Sequence, residues 1–205
     1  MSRSVTILDL GLGNLHSVAR AFERSGGEPT ITADPDVVRR AARVVVPGQG
    51  AIRQCSIALR GGLGEALLET IRSGTPYLGI CLGMQALFER SEEAPEVDGL
   101  GLFRGEVKRF RGDLVGPDGR HLKIPHMGWN QVETSHPFLE SGGWYYFVHS
   151  FHCVPSDPSI VAATTDYGGP FVSAVAKDNV FACQFHPEKS HILGARLIAR
   201  FLEST

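Results

Sequence analysis

The stretch Tyr77–Leu78–Gly79–Ile80–Cys81–Leu82–Gly83–Met84–Gln85 constrains the fold of this chain more than any other. Tyr77 to Ile80 is an apolar run of strand length, and Met84–Gln85–Ala86–Leu87–Phe88–Glu89 is rich in helix formers. Glycines stand two residues either side of the cysteine, the pattern of G-x-S-x-G with cysteine in place of serine. Such a strand turns sharply into a helix and lifts a nucleophile above a sheet. Gly79 and Gly83 are required because the turn is strained and its flanking elements pass close by. The turn also sets the Cys81 sulfur at a helix N-terminus, where thiolate is favoured. A helix terminus contributes only ~0.3–1 kcal/mol, short of the ~1.4 kcal/mol that a tenfold change in ionisation needs. A nucleophilic Cys81 therefore requires a base beside it.

The residues before the elbow read as strand and helix in alternation. Val5, Ile7 and Leu8 form a first strand, followed by Asp9–Leu10–Gly11–Leu12–Gly13–Asn14 and a helix from Leu15 through Phe22, stopped at Gly26–Gly27. Residues 28–32 form a second strand and 37–42 a short helix. Residues 43–46 form a third strand, ending in Pro47–Gly48–Gln49–Gly50–Ala51, and 64–73 form the helix before the elbow. This alternation implies a parallel sheet with helices on both faces and ligands at the carboxyl ends of the strands. Gly11 to Asn14, Gly48 to Gly50 and Cys81 should then share one rim. Glycines directly after a strand fit an oxyanion-binding loop, but taken alone they read first as a tight strand-to-helix turn. Gly11-x-Gly13 does not complete a dinucleotide fingerprint, because the third glycine would fall at His16.

From Gly105 the texture changes to short strand-like runs at 106–110, 122–124, 130–133, 144–148, 160–164, 172–177 and 180–184, with an exposed loop at 111–120. In the last element, 190–203, Leu193, Leu197 and Phe201 stand four apart beside Ile198 and Leu202, an amphipathic helix. The expected fold is α/β: an open, mostly parallel central sheet with helices on both faces plus additional antiparallel strands. One domain is expected over residues 1–205. A net charge of −2 without a basic block argues against nucleic acid. Asp9 interrupts the early apolar run that a signal segment needs, and no run reaches membrane-helix length. The four cysteines, Cys55, Cys81, Cys153 and Cys183, show no C-x-x-C spacing, which predicts reduced thiols in a cytoplasmic protein.

Among eight histidines, His16, His121, His136 and His191 lie in polar surroundings and read as surface residues. His186 follows the apolar run 180–185 in His186–Pro187–Glu188. In extended chain, side chains two apart share a face, and Pro187 keeps its predecessor extended. The tripeptide thus carries a base with its orienting carboxylate. The bland reading is a strand-end histidine near an unrelated glutamate; the cysteine elbow on another strand end favours catalysis. His149–Ser150–Phe151–His152–Cys153 raises zinc, but no further cluster completes three or four ligands, so no metal or cofactor is expected. Cys55, Cys153 and Cys183 read as small buried apolar groups.

Together, Pro47–Gly48–Gln49–Gly50, the Cys81 elbow and His186–Pro187–Glu188 resemble the class I, or triad, glutamine amidotransferases across nearly the whole chain. Asp9 to Leu15, His126–Met127–Gly128–Trp129–Asn130 and Tyr146–Phe147–Val148–His149–Ser150 look like the branch of that family serving imidazole glycerol phosphate synthase in histidine biosynthesis. The resemblance implies glutamine hydrolysis through a Cys81 thioester, with His186 moving the proton and Glu188 behind it. It implies an oxyanion hole from Leu82 and the loop of Gly48, Gln49 and Gly50. Gln85, Glu93, His149, Ser150 and Phe151 match positions that hold glutamine. Ammonia would pass to a (β/α)8-barrel cyclase in a 1:1 heterodimer, and Gly11, Asn14, Met127, Trp129, Tyr146 and Lys189 match positions near that interface. Gln49 stands where the family often has a small apolar residue, though the backbone N–H is what the hole would use. Open alternatives are a glutaminase for anthranilate or aminodeoxychorismate synthase, a non-catalytic domain on the same fold, and a γ-glutamyl cysteine hydrolase.

Overall fold

The computed structural model of the protein describes residues 3–204. Its first part runs β1 (Ser4–Leu8), α1 (Leu15–Arg24), β2 (Glu28–Thr32), α2 (Pro35–Arg39), β3 (Val44–Val46), α3 (Ile52–Ala58), α4 (Gly62–Arg72), β4 (Tyr77–Ile80) and α5 (Leu82–Gln85). Strands then dominate: β5 (Phe88–Ser91), β6 (Phe103–Arg109), β7 (His126–Thr134), β8 (Gly143–His149), β9 (Phe151–Pro155), β10 (Val161–Asp166), β11 (Pro170–Lys177) and β12 (Val180–Cys183). A 3-10 turn at Pro187–Lys189 precedes α6 (His191–Glu203).

The sheet order is β2-β1-β3-β4-β12-β11-β10-β7-β8, with β5, β6 and β9 branching from it. β2, β1, β3, β4 and β12 are parallel, and the strands beyond β12 add on antiparallel. The period of two along each strand decides what packs where. Val5, Ile7, Val45, Leu78 and Ile80 face α1 and α6, meeting Val18, Phe22, Leu197 and Phe201. Leu8, Val44, Val46 and Tyr77 face α2 and α4, meeting Val38, Leu63 and Leu67. Each such buried side chain is worth about 1.5–3 kcal/mol.

Local signals set the helix starts. The Asn14 side chain accepts from Ser17 N–H at 3.0 Å to open α1, and Asp34 with Pro35 opens α2 earlier than its apolar residues suggest. Three expectations are corrected. The run after the elbow is helical only to Gln85, because Phe88 is drawn into β5, parallel to β6, where its ring meets Phe103 at 6.0 Å. Residues 122–124 form no strand; a single bridge joins Val115 and His121. His136 is half-buried against Phe138 and Phe181, and burial lowers its pKa.

Because β1, β3, β4 and β12 are parallel neighbours, their carboxyl ends form one rim. Val46 is level with Gly79, and Ile80 with Cys183. Cys81 N–H extends the ladder by donating to Cys183 O at 2.8 Å.

Candidate active site

Cys81 holds a φ of +53°, which an L residue adopts only where surrounding structure enforces it. The enforcement is visible. A Cβ on Gly83 would collide with the Val46 carbonyl oxygen, one on Gly79 would stand 2.7 Å from Gly83 O, and one on Gly48 would stand 2.7 Å from Leu82 Cβ. The buried Tyr77 hydroxyl donates to Gly83 O at 2.7 Å, tying the start of α5 back to its strand. The sulfur is thus fixed between β3, β4 and β12.

His186 lies at the end of the neighbouring strand. Its N–H donates to Tyr146 O at 2.9 Å, and its carbonyl accepts from Ser190 Oγ at 2.7 Å. Nδ1 meets Glu188 Oε1 at 2.9 Å, with the two side chains only 2% and 5% exposed. The route to that pairing differs from the expected extended tripeptide. His186 is extended, but Pro187–Lys189 turns as a 3-10 helix and swings Glu188 back beneath the ring. A carboxylate accepts only, so Nδ1 carries a proton in either charge state and Nε2 is the nitrogen left to gain or lose one. Among the described residues Nε2 makes no hydrogen bond. Burial disfavours the imidazolium, yet the Cys81 sulfur and the Glu188 carboxylate outweigh it and raise His186 to about 9. That imidazole is a strong acceptor for a thiol proton.

A cleft of about 430 Å³ opens over the sulfur. Cys81, Leu82, Gln49, Gly50, Gln85, Glu93, His149, Ser150 and Phe151 line it, with Tyr146 and Lys189 at the same opening. Gly48 lies behind it against Leu82, while His186 and Glu188 are buried behind the sulfur rather than in its wall. As the first residue of α5, Leu82 has an N–H without an intrahelical acceptor, available to a developing oxyanion. Glu93 Oε2 accepts from Ile52 N–H at 3.2 Å, so the carboxylate is held in place by the start of α3. His149 donates through Nδ1 to Phe151 O at 2.7 Å. Burial and the neighbouring His126 keep His149 well below its ordinary pKa, and burial takes His126 to about 4. Both rings are neutral.

Sequence reasoning missed Pro125 and Val148 in the cleft wall, and Gln184, whose Nε2 donates to Cys81 Sγ at 3.4 Å. Pro125 could not have been found, since it enters from a loop outside every motif. Gln184 carried a signal: a polar side chain closing an apolar strand two residues before the base. The remaining thiols are unpaired and buried. Burial pushes Cys55 up to about 12 and Cys153 and Cys183 well above the ordinary range, which leaves them inert.

Beside the cleft, the β7–β8 hairpin turns an apolar face outward. Met127 is 62% and Trp129 41% exposed, so Trp129 is not core. Tyr146 pairs with Trp129 across the hairpin, their rings 6.0 Å apart, and Lys189 Nζ stands 5.7 Å from the Tyr146 ring. Gly11 and Asn14 are exposed on the loop after β1, at the rim.

The model of the class-I glutamine amidotransferase family matches residues 6–204. The imidazole glycerol phosphate synthase subunit HisH of Methylococcus capsulatus is 49% identical, covering 97% of this chain and 95% of its own length. The protein of the same name from Syntrophotalea carbinolica is 49% identical over 96% and 98%. Among solved structures, a glutamine amidotransferase superposes with a TM-score of 0.75 at 21% identity, covering 97% of each chain. PurLQS from Thermotoga maritima gives 0.72 at 17%, covering 99% of this chain and 98% of its own, so both support the fold. Family match and near-full-length relatives agree with the rim geometry, and the chain belongs to the class-I glutamine amidotransferases.

Proposed function

We propose that this chain is the glutaminase subunit of an imidazole glycerol phosphate synthase, with Cys81, His186 and Glu188 as its triad. The observation that carries the catalytic part is the buried His186–Glu188 pair at 2.9 Å behind the Cys81 elbow. His186 Nε2 takes the thiol proton as the sulfur attacks the side-chain carbonyl carbon of glutamine. The oxyanion is received by Leu82 N–H and the loop of Gly48, Gln49 and Gly50. The imidazolium gives its proton to the leaving nitrogen, and the carbon–nitrogen bond breaks to release ammonia and a Cys81 thioester. Water, deprotonated by the same imidazole, then attacks the thioester carbonyl; the carbon–sulfur bond breaks to free glutamate, and the imidazolium returns its proton to the Cys81 sulfur. Glu93, Gln85 and residues 149–151 hold the substrate's polar ends in the cleft.

The relatives' name motivates the rest of the reading. Ammonia passes to a (β/α)8-barrel cyclase bound 1:1, which makes imidazole glycerol phosphate and aminoimidazole carboxamide ribotide in the cytoplasm. The exposed Met127 and Trp129, with Gly11, Asn14, Tyr146 and Lys189, form a docking face that adjoins the cleft mouth. The test is ammonia release from glutamine with and without the cyclase and its nucleotide ligand. Release should be weak alone and rise on complex formation. Trp129→Ala should weaken cyclase binding by about 2 kcal/mol, the scale of an aromatic anchor, roughly 30-fold. Unchanged release with a folded cyclase, or capture of a chorismate-using synthase instead, would overturn the partner assignment.

A further inference from the structure

Gln184 is wholly buried, stands outside the cleft wall, and has no part in the triad chemistry. Its amide is nonetheless held at both ends. Nε2 donates to Cys81 Sγ at 3.4 Å, and Oε1 accepts from Gln85 Nε2 at 3.1 Å. Gln85 Nε2 also donates to Phe151 O at 3.2 Å. These contacts force the orientation of both amides. A main-chain carbonyl only accepts, so Gln85 must turn its NH2 toward Phe151 O. That NH2 then demands an oxygen from Gln184, which leaves the Gln184 NH2 facing the sulfur. Flipping Gln184 would set two donors against each other and a carbonyl oxygen against the sulfur.

Phe151 O is fixed in turn by His149 Nδ1–H at 2.7 Å. His149 Nε2 is therefore an acceptor, and His126 Nδ1–H donates to it at 3.1 Å. His126 Nε2 accepts from Asn130 Nδ2 at 3.2 Å, which also donates to Asp166 O at 2.8 Å. Every donor direction in this chain follows from the two carbonyls at its ends.

We propose that Gln184 is a positioning residue for the nucleophile: a donor, oriented in advance by Gln85 and the Phe151 carbonyl, that holds the Cys81 sulfur and stabilises it as an anion. An N–H aimed at sulfur strengthens when the sulfur is charged, and a donor already oriented needs no rearrangement at that moment. Gln184 does not touch the cleft, so it acts first on the reactivity of the sulfur; Gln85, its neighbour in the cleft wall, has a second anchor in Phe151 O. The inference rests on Cys81 being the nucleophile.

The experiment compares iodoacetamide alkylation of Cys81, followed by peptide mass, in the wild-type protein and in Gln184→Met. The variant keeps the length of the side chain and removes both polar ends. Its alkylation at pH 7 should fall about tenfold, the worth of one hydrogen bond to a charged group, and recover at pH 10. In the cyclase-bound enzyme kcat should fall by a similar factor, while KM for glutamine moves by less, because Gln85 keeps its bond to Phe151 O. Gln184→Glu, which turns a carboxylate toward the sulfur, should be slower still. Wild-type alkylation elsewhere than Cys81 would overturn the assignment of the nucleophile. Alkylation at Cys81 that is equally fast in folded Gln184→Met would overturn the role of Gln184 alone. Should Gln184→Met not fold, the side-chain amide resonances of Gln184 in the wild-type protein decide. They should move when Cys81 is replaced by alanine, and unmoved resonances would refute the contact.

Discussion

Replacing Glu188 by glutamine removes the charge behind the imidazole while leaving an oxygen for Nδ1–H to bind. The side chains concerned are 2% and 5% exposed, so solvent screens the pair little. The rise of His186 from the usual 6.5 to about 9 is worth roughly 3 kcal/mol in favour of the imidazolium. That sum is shared between the sulfur and the carboxylate, against burial. A charge-assisted hydrogen bond is worth roughly 1.5–3 kcal/mol and about twice its neutral counterpart. Glu188→Gln should therefore cost about 1–2 kcal/mol of stabilisation as the imidazolium forms, or roughly 5- to 30-fold in kcat. The assay is steady-state ammonia release by the cyclase-bound enzyme. Glu188 lies outside the cleft wall, so KM for glutamine should hold. A kcat within twofold of wild type, or a loss confined to KM, would refute the account of the charge.

Two further perturbations read the same site. His126 is held at about 4 by burial, so its contribution to stability is full above about pH 6.5 and fades as pH falls toward 4. His186 is raised to about 9, so its contribution is full below about pH 6.5 and is lost as pH rises through 9. Denaturant unfolding across pH should show a maximum near neutrality, and His126→Gln should flatten the acid limb; a profile flat from 4 to 9 would contradict both assignments. Gly83→Ala drives a methyl into the Val46 carbonyl. Because that contact is backbone on both sides, it should cost about 3 kcal/mol or more in the same unfolding measurement and displace the sulfur. A stability unchanged within 1 kcal/mol would mean the elbow has slack that the geometry denies.

What could be read from sequence was local. The glycines around Cys81, the alternation of strands and helices before it, and the His186–Pro187–Glu188 tripeptide each announce themselves within a few residues. What could not be read depended on distant partners. Met84 to Glu89 has the composition of a helix, and propensity differences there are below 1 kcal/mol per residue. Burying Phe88 against Phe103 in the β5–β6 pair is worth ~2–3 kcal/mol, so strand wins from Phe88 onward. The turn that brings Glu188 under His186 is pinned by Tyr146 and Ser190, 44 residues apart, which no local periodicity reveals. The orientation of Gln184 depends on Gln85 and Phe151, from two other parts of the chain. The burial of His136 is hidden for the same reason, since its cover comes from Phe181 on β12.

The most direct test of the triad is covalent trapping with a diazoketone analogue of glutamine, read by peptide mass. One adduct is expected, on Cys81, formed faster with the cyclase bound and abolished by His186→Asn in a folded protein. An adduct on Cys55, Cys153 or Cys183, or labelling of Cys81 that survives loss of the imidazole undiminished, would contradict it.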